Sequence, residues 1–254
     1  MAVPDTAEAR REVLADVYRE ARSCVLCPHL AQTRTQVVFG AGNADADLLF
    51  IGEAPGADED RDGVPFVGRA GKLLTQLLGE VGIAREDVFI ANVLKCRPPD
   101  NRNPTAPEIA NCSRWLYRQL ELIQPTVVVT LGNFATRLLR EDQTSITKIR
   151  GQVEVRTIGP RAVRLLPVLH PAAALYTPAN RAVLAGDLAL IPALLEQGPP
   201  PQPEPEDVPQ PEETAIAEAR AALAQEEAAA QPPAPAAPVP EAQPDAPEPQ
   251  LGLF

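Results

Sequence analysis

Residues 47–56 read D-L-L-F-I-G-E-A-P-G. Four apolar side chains in succession leave no polar face, so the run suits a strand buried on both sides, and the Gly/Pro turn behind it ends the strand in polar residues. Three further runs share this character: 88–93 (V-F-I-A-N-V), 126–131 (T-V-V-V-T-L) and 163–169 (V-R-L-L-P-V-L). Between and around them the spacing turns helical, over about 7–22, 69–82, 105–123, 132–140 and 180–196. Thr105 with Glu108 three residues later has the form of a capping box. Strand and helix in alternation predict an α/β, three-layer domain, with a central, mainly parallel four-stranded sheet flanked by helices. The alternating stretch 152–158 (Q-V-E-V-R-T-I) fits a small hairpin at the sheet edge.

The character changes at Pro199. Fifteen of the 29 prolines lie in residues 199–254, with hardly a large apolar side chain before Leu251, too little to offset chain entropy by burial. This divides the chain into a folded domain (1–198), a disordered Pro/Ala/Glu-rich linker (199–249) and a short apolar end (250–254). The net charge of −11 is carried almost wholly by the tail, with 11 acids against Arg220. A near-neutral body can carry a local basic face, so the acidic total does not exclude nucleic acid. The N-terminus is charged where a secretory leader is apolar, and no apolar run approaches the roughly 18 residues of a membrane helix. No membrane partner is expected, and the cytoplasm is the expected compartment.

Cys24, Cys27, Cys96 and Cys112 are written C-x2-C, a long gap, then C-x15-C. In a cytosolic chain a C-x2-C knuckle points to metal or redox chemistry rather than to a structural disulfide. Four thiolates suit tetrahedral zinc or an iron–sulfur cluster, and C-x15-C is not the close pair that structural zinc favours. Cys96 and Cys112 bracket R-P-P-D-N-R-N-P-T-A-P-E, a loop holding Arg97 and Arg102 that a metal centre would order from both ends.

Three polar motifs follow strands, where ligand sites of open parallel sheets gather. G-E-A-P-G (52–56) pairs close-approach glycines with Glu53, a candidate base or charge stabiliser. Asn92 ends the second run and carries the donor and acceptor that read a nucleobase edge. His170, one of two histidines, opens H-P-A-A-A-L after the fourth.

Taken with the cysteines, the ordered motifs G-E-A-P-G, P-F-V-G-R-A-G, N-V-L-K-C-R-P-P-D-N-R, I-R-G-Q and H-P-A-A-A-L closely resemble the family 4 uracil-DNA glycosylases over about residues 23–196. The resemblance implies a uracil-DNA glycosylase-like fold, a 4Fe-4S cluster on Cys24, Cys27, Cys96 and Cys112, and hydrolysis of the bond between deoxyribose and uracil in single- or double-stranded DNA, which opens base excision repair. It implies a uracil pocket of Gly52, Glu53, Ala54, Asn92 and His170 with Phe66 as stacking ring, and catalysis by Glu53 and His170. The better-known branch, with motif G-Q-D-P-Y, has its water-activating carboxylate where this chain has Ala54, and its methyl-excluding tyrosine where this chain has Gly56. Arg97, Arg102 and Arg150 are candidates for phosphate contact, and Leu175 or Tyr176 for the wedge that fills the vacated stack. A monomer is the family expectation. The alternatives are a covalently uracil-binding relative, whose histidine lies in a loop that here has none between Asn92 and Cys112, and a non-enzymatic iron–sulfur DNA-binding protein.

In that setting the final residues, Gln250, Leu251, Gly252, Leu253 and Phe254, resemble the bacterial sliding-clamp-binding peptide Q-L-x-L-F, whose leucine and aromatic anchors fill an apolar groove. A flexible linker of about 50 residues averages roughly 40 Å end to end, enough to tether a nucleoid enzyme to a clamp.

Overall fold

A computed structural model describes residues 3–159 and 161–203. Its elements run, in chain order, α1 (Ala7–Arg22), α2 (Pro28–Thr33), β1 (Ala41–Gly42), β2 (Leu48–Gly52), α3 (Ala57–Asp62), α4 (Arg69–Glu80), β3 (Phe89–Asn92), α5 (Ala106–Ile123), β4 (Val127–Leu131), α6 (Asn133–Arg140), α7 (Ile146–Ile149), β5 (Glu154–Ile158), β6 (Arg161–Val168), α8 (Pro171–Ala174), α9 (Pro178–Leu188) and α10 (Ile191–Glu196).

The strands form one sheet in the order β1-β3-β2-β4-β6-β5. The four expected strands are its parallel centre, and antiparallel edges widen it to six: β5 at the position expected for a hairpin strand, and the two-residue β1, too short to show in the sequence. Register is set by apolar runs that face both ways. On β2, Leu49 and Ile51 enter a core with Leu116 and Leu120 of α5 and Leu14 of α1. Leu48 and Phe50 enter another with Leu74 and Leu78 of α4 and Leu184 and Leu188 of α9. Two buried faces make three layers, as the continuous apolar runs require.

Helix α5 begins as read, with the Glu108 carboxylate accepting from the Thr105 N–H at 2.9 Å. The single helix expected over 180–196 is broken at Ala189 and Leu190. Pro192 explains the break, because it lacks an N–H and its ring would strike the carbonyl of Leu188 in a continuous helix. By length and composition alone 178–196 could cross a membrane (mean hydropathy 1.2), contrary to the expectation that no such run exists. In the fold Leu184, Leu188 and Ile191 are 0% exposed against the sheet, so that apolar face is spent on the core.

Strand order reverses at β2: the chain steps to β3 on one side, then returns to β4 on the other. Such a switch point opens a crevice beyond the carboxyl ends of the strands. The peptide Gln250, Leu251, Leu253 and Phe254 lies outside the described residues, as does most of the linker.

Candidate active site and cysteine centre

Beyond that switch point lies a cleft of about 370 Å³, lined among others by Glu53, Ala54, Phe66, Asn92, His170 and Arg102. The volume lies in the range of small-molecule sites. Backbone makes the cleft possible. A Cβ on Gly52 would sit 2.4 Å from Asn92 Oδ1 and 2.8 Å from the Phe66 ring, so glycine there lets both side chains close over the end of β2. Phe66 itself adopts φ +54°, a left-handed backbone that costs a non-glycine residue about 1 kcal/mol or more.

Glu59 holds that strained loop. Its carboxylate accepts from the N–H groups of Val67 (3.0 Å) and Gly68 (2.9 Å) through one oxygen and of Gly56 (3.1 Å) through the other. It thereby ties the Gly52–Gly56 turn to the Phe66 loop. Glu59 was not among the residues expected from sequence, although its place three residues after Gly56, at the third position of α3, is the signal of a capping carboxylate.

Each polar group in the cleft has a distinct state. Asn92 is 2% exposed, and its Oδ1 has no hydrogen-bond partner among the described residues. A buried amide oxygen left unpaired costs about 1–3 kcal/mol, and a ligand donor entering the cleft would recover it. His170 sits with its ring centroid 5.7 Å from that of Phe66. Its Nδ1 accepts from the Ala172 N–H at 3.1 Å, which assigns the neutral ring's proton to Nε2. Burial pushes the imidazole down to about 4, against a weak opposing pull from Glu59. His170 is therefore a neutral N–H donor near pH 7. Burial raises the Glu53 carboxyl, as expected for a desolvated carboxylate with no cationic partner among the described residues.

The expected DNA-contact residues fare differently. Arg102 lines the cleft and pairs bidentately with Glu108 (2.9 and 2.6 Å), which fixes its guanidinium at the rim. Arg97 Nε donates to Asn101 Oδ1 at 2.8 Å on the same loop. Arg150 is turned to Asp187, donating through Nε at 2.7 Å and also through Nη2. Asp187 is 3% exposed, so this guanidinium serves a buried carboxylate rather than open solvent. Leu175 is half-buried, while Tyr176 is 74% exposed and stacked with Arg69, whose Nη1 donates to its hydroxyl at 2.7 Å.

The four cysteines meet on the opposite side of β3. All are free thiols, and together with Arg34 and Trp115 they line a second, smaller cavity between the end of α1, α2 and α5. Several N–H groups point at sulfur: Arg34 Nη1 at Cys96 (3.1 Å), the Lys95 N–H at Cys112 (3.2 Å) and Asn111 Nδ2 at Cys27 (3.8 Å). Burial raises the thiols of Cys27 and Cys96 and pushes Cys112 up to about 12. Such thiols become thiolates when a cationic group binds them. Among the described residues no group of three or more ligating side chains is arranged to hold a metal ion. Asp60 links this region to the cleft, both its oxygens accepting from the Thr35 N–H at 3.0 Å.

Comparison with known proteins agrees with this architecture. The model of the uracil DNA glycosylase superfamily matches residues 39–188, a span from β1 through α9. A type-4 uracil-DNA glycosylase of Archaeoglobus fulgidus is 48% identical over 185 residues, covering 71% of this chain and 92% of the relative. One of Thermotoga maritima is 46% identical over 172 residues, covering 67% and 88%. A type-5 enzyme of Pyrobaculum aerophilum is more distant, 31% identical over 179 residues, covering 59% and 78%. With the family model spanning the sheet and the type-4 relatives matched over nearly their full length, the chain belongs to the uracil-DNA glycosylase superfamily, in its type-4 group.

Proposed function

We propose that this protein removes uracil from DNA by hydrolysing its N-glycosidic bond. The observation that carries the reading is the buried Oδ1 of Asn92, without a partner among the described residues, in a cleft that also holds the Phe66 ring and a neutral histidine donor. A base must leave the duplex to reach such a cleft. There the ring stacks on Phe66, Asn92 Oδ1 accepts from uracil N3–H and its Nδ2 donates to O4. As the bond from N1 to C1′ breaks, its electron pair passes to uracil and spreads onto O2, where the Nε2–H of His170 donates. Donors aimed at developing charge are typically worth about 3–4 kcal/mol. Positive charge grows on the sugar, beside Glu53, whose carboxylate stabilises it and orients the water that attacks C1′. Ala54 leaves the room that a second carboxylate would take. Arg102 at the rim and Arg97 on the same loop are the candidates for backbone phosphate, with Leu175 or Tyr176 entering the vacated stack.

Cys24, Cys27, Cys96 and Cys112 would hold a 4Fe-4S cluster. Four reduced thiols around one cavity, two of them buried and three accepting from N–H donors, suit that group. When bound, the cluster would order the Arg97–Arg102 loop and the start of α5. Residues 250–254 would dock to a sliding clamp and residues 199–249 would tether them to domain 1–198, in the cytoplasm. Incubation with a uracil-containing strand followed by alkali tests the activity: cleavage at uracil and none at thymine supports it, and an intact strand refutes it.

A further inference from the structure

One buried side chain lines the cysteine cavity and touches the backbone of Asn92. Lys95 is 1% exposed. Its Nζ donates to the backbone carbonyl of Asn92 at 2.8 Å and to Gln119 Oε1 at 2.6 Å, and lies 5.8 Å from the centre of the Phe39 ring. Its own N–H donates to Cys112 Sγ, and Gln119 donates onward to the Phe39 carbonyl at 2.9 Å. No carboxylate pairs with it among the described residues. A fully buried amine needs hydrogen-bond partners, and an apolar side chain of the same length would fill the space without that demand. Its polar contacts therefore need another reason.

Asn92 supplies one. With Oδ1 unpartnered among the described residues, hydrogen bonding does not aim that oxygen; the position of its backbone does, together with its close approach to Gly52. Lys95 grips that backbone from behind and is itself gripped by Cys112 and by Gln119 of α5. The geometry points to Lys95 as a positioning residue that couples the cysteine centre to the base reader, so that loading the cysteines fixes the aim of Asn92. This rests on the cluster and uracil assignments proposed above.

Lys95→Met in the full chain, reconstituted to wild-type iron content, tests the coupling. The measurements are iron per chain, melting temperature, the dissociation constant of free uracil by NMR, DNA affinity, and the single-turnover rate. Expected are a tenfold or greater loss of uracil affinity and of the single-turnover rate, with DNA affinity within twofold of wild type. A structural role alone lowers the melting temperature and leaves uracil affinity unchanged, and that result overturns the proposal. Should Lys95→Met fail to fold, Gln119→Leu decides, since it keeps Lys95 and every cysteine. A threefold or greater loss of uracil affinity at full iron supports the coupling, and wild-type affinity overturns it. Wild-type protein without iron would overturn the cluster assignment and the coupling with it, whereas iron present with unchanged uracil affinity removes the coupling alone.

Discussion

Acid is the perturbation that His170 should register most clearly. Its imidazole is pushed from an ordinary 6.5 down to about 4, chiefly by burial. The unfolded chain thus takes up a proton near pH 6.5 and the folded chain only near pH 4. In that window each pH unit costs the folded state about 1.36 kcal/mol. The sign follows from which state binds first: the contribution is intact above pH 6.5, is lost as pH falls towards 4, and changes no further below that. The full gap corresponds to about 3 kcal/mol, and the part of the ring that meets solvent reduces it to about 2 kcal/mol. Urea denaturation of wild type and His170→Asn between pH 7.5 and pH 4 measures it. The stability difference between the two should fall by about 2 kcal/mol across the window, because asparagine has no proton to gain. The single-turnover rate should show no acid limb near 6.5, since the Nε2–H donor persists in the neutral ring. Glu53, whose carboxyl is raised by burial, sets an acid limb of its own that survives in His170→Asn. Parallel loss of stability in both proteins, or a His170 resonance titrating near 6.5, would refute the reasoning.

Four other perturbations separate the parts of the site. Gly52→Ala places a methyl 2.4 Å from Asn92 Oδ1 and 2.8 Å from the Phe66 ring; overpacking of about 2 kcal/mol should lower the single-turnover rate about 30-fold. Glu53→Gln should lower turnover on a uracil-containing single strand at least about tenfold, and wild-type turnover would remove its catalytic assignment. Arg150→Met strands the buried carboxylate of Asp187 and should cost about 2 kcal/mol of stability by urea denaturation, less than a fully buried pair because the guanidinium is partly exposed. DNA affinity should stay within twofold, and a larger loss would return Arg150 to the DNA interface. Deleting Gln250 to Phe254 should abolish clamp binding in a pull-down and leave cleavage of short oligonucleotides unchanged.

The central strands were legible because burial on both faces leaves a one-dimensional mark, a run such as L-L-F-I with no polar alternation. The cysteines were legible because their spacing is itself a pattern. Short elements were not: β1 has two residues, and α2, α3, α7 and α8 have six or fewer, too few for a period to repeat. Glu59, Lys95 and Gln119 escaped for another reason. Each acts through partners supplied by other loops or elements, Glu59 through Val67 and Gly68, Lys95 through Gln119 twenty-four residues away, and a pattern along the chain carries no trace of such pairs. Arg150 shows the converse. Exposure was assumed for a loop arginine, and a buried aspartate on α9 had already engaged it.

Mass spectrometry of the reaction mixture after incubation with a uracil-containing strand tests hydrolysis of the glycosidic bond most directly. Free uracil, an abasic strand and protein of unchanged mass are expected, with the two product signals falling together in His170→Asn. Protein carrying the strand as a covalent adduct, or a strand that keeps its uracil, would contradict it.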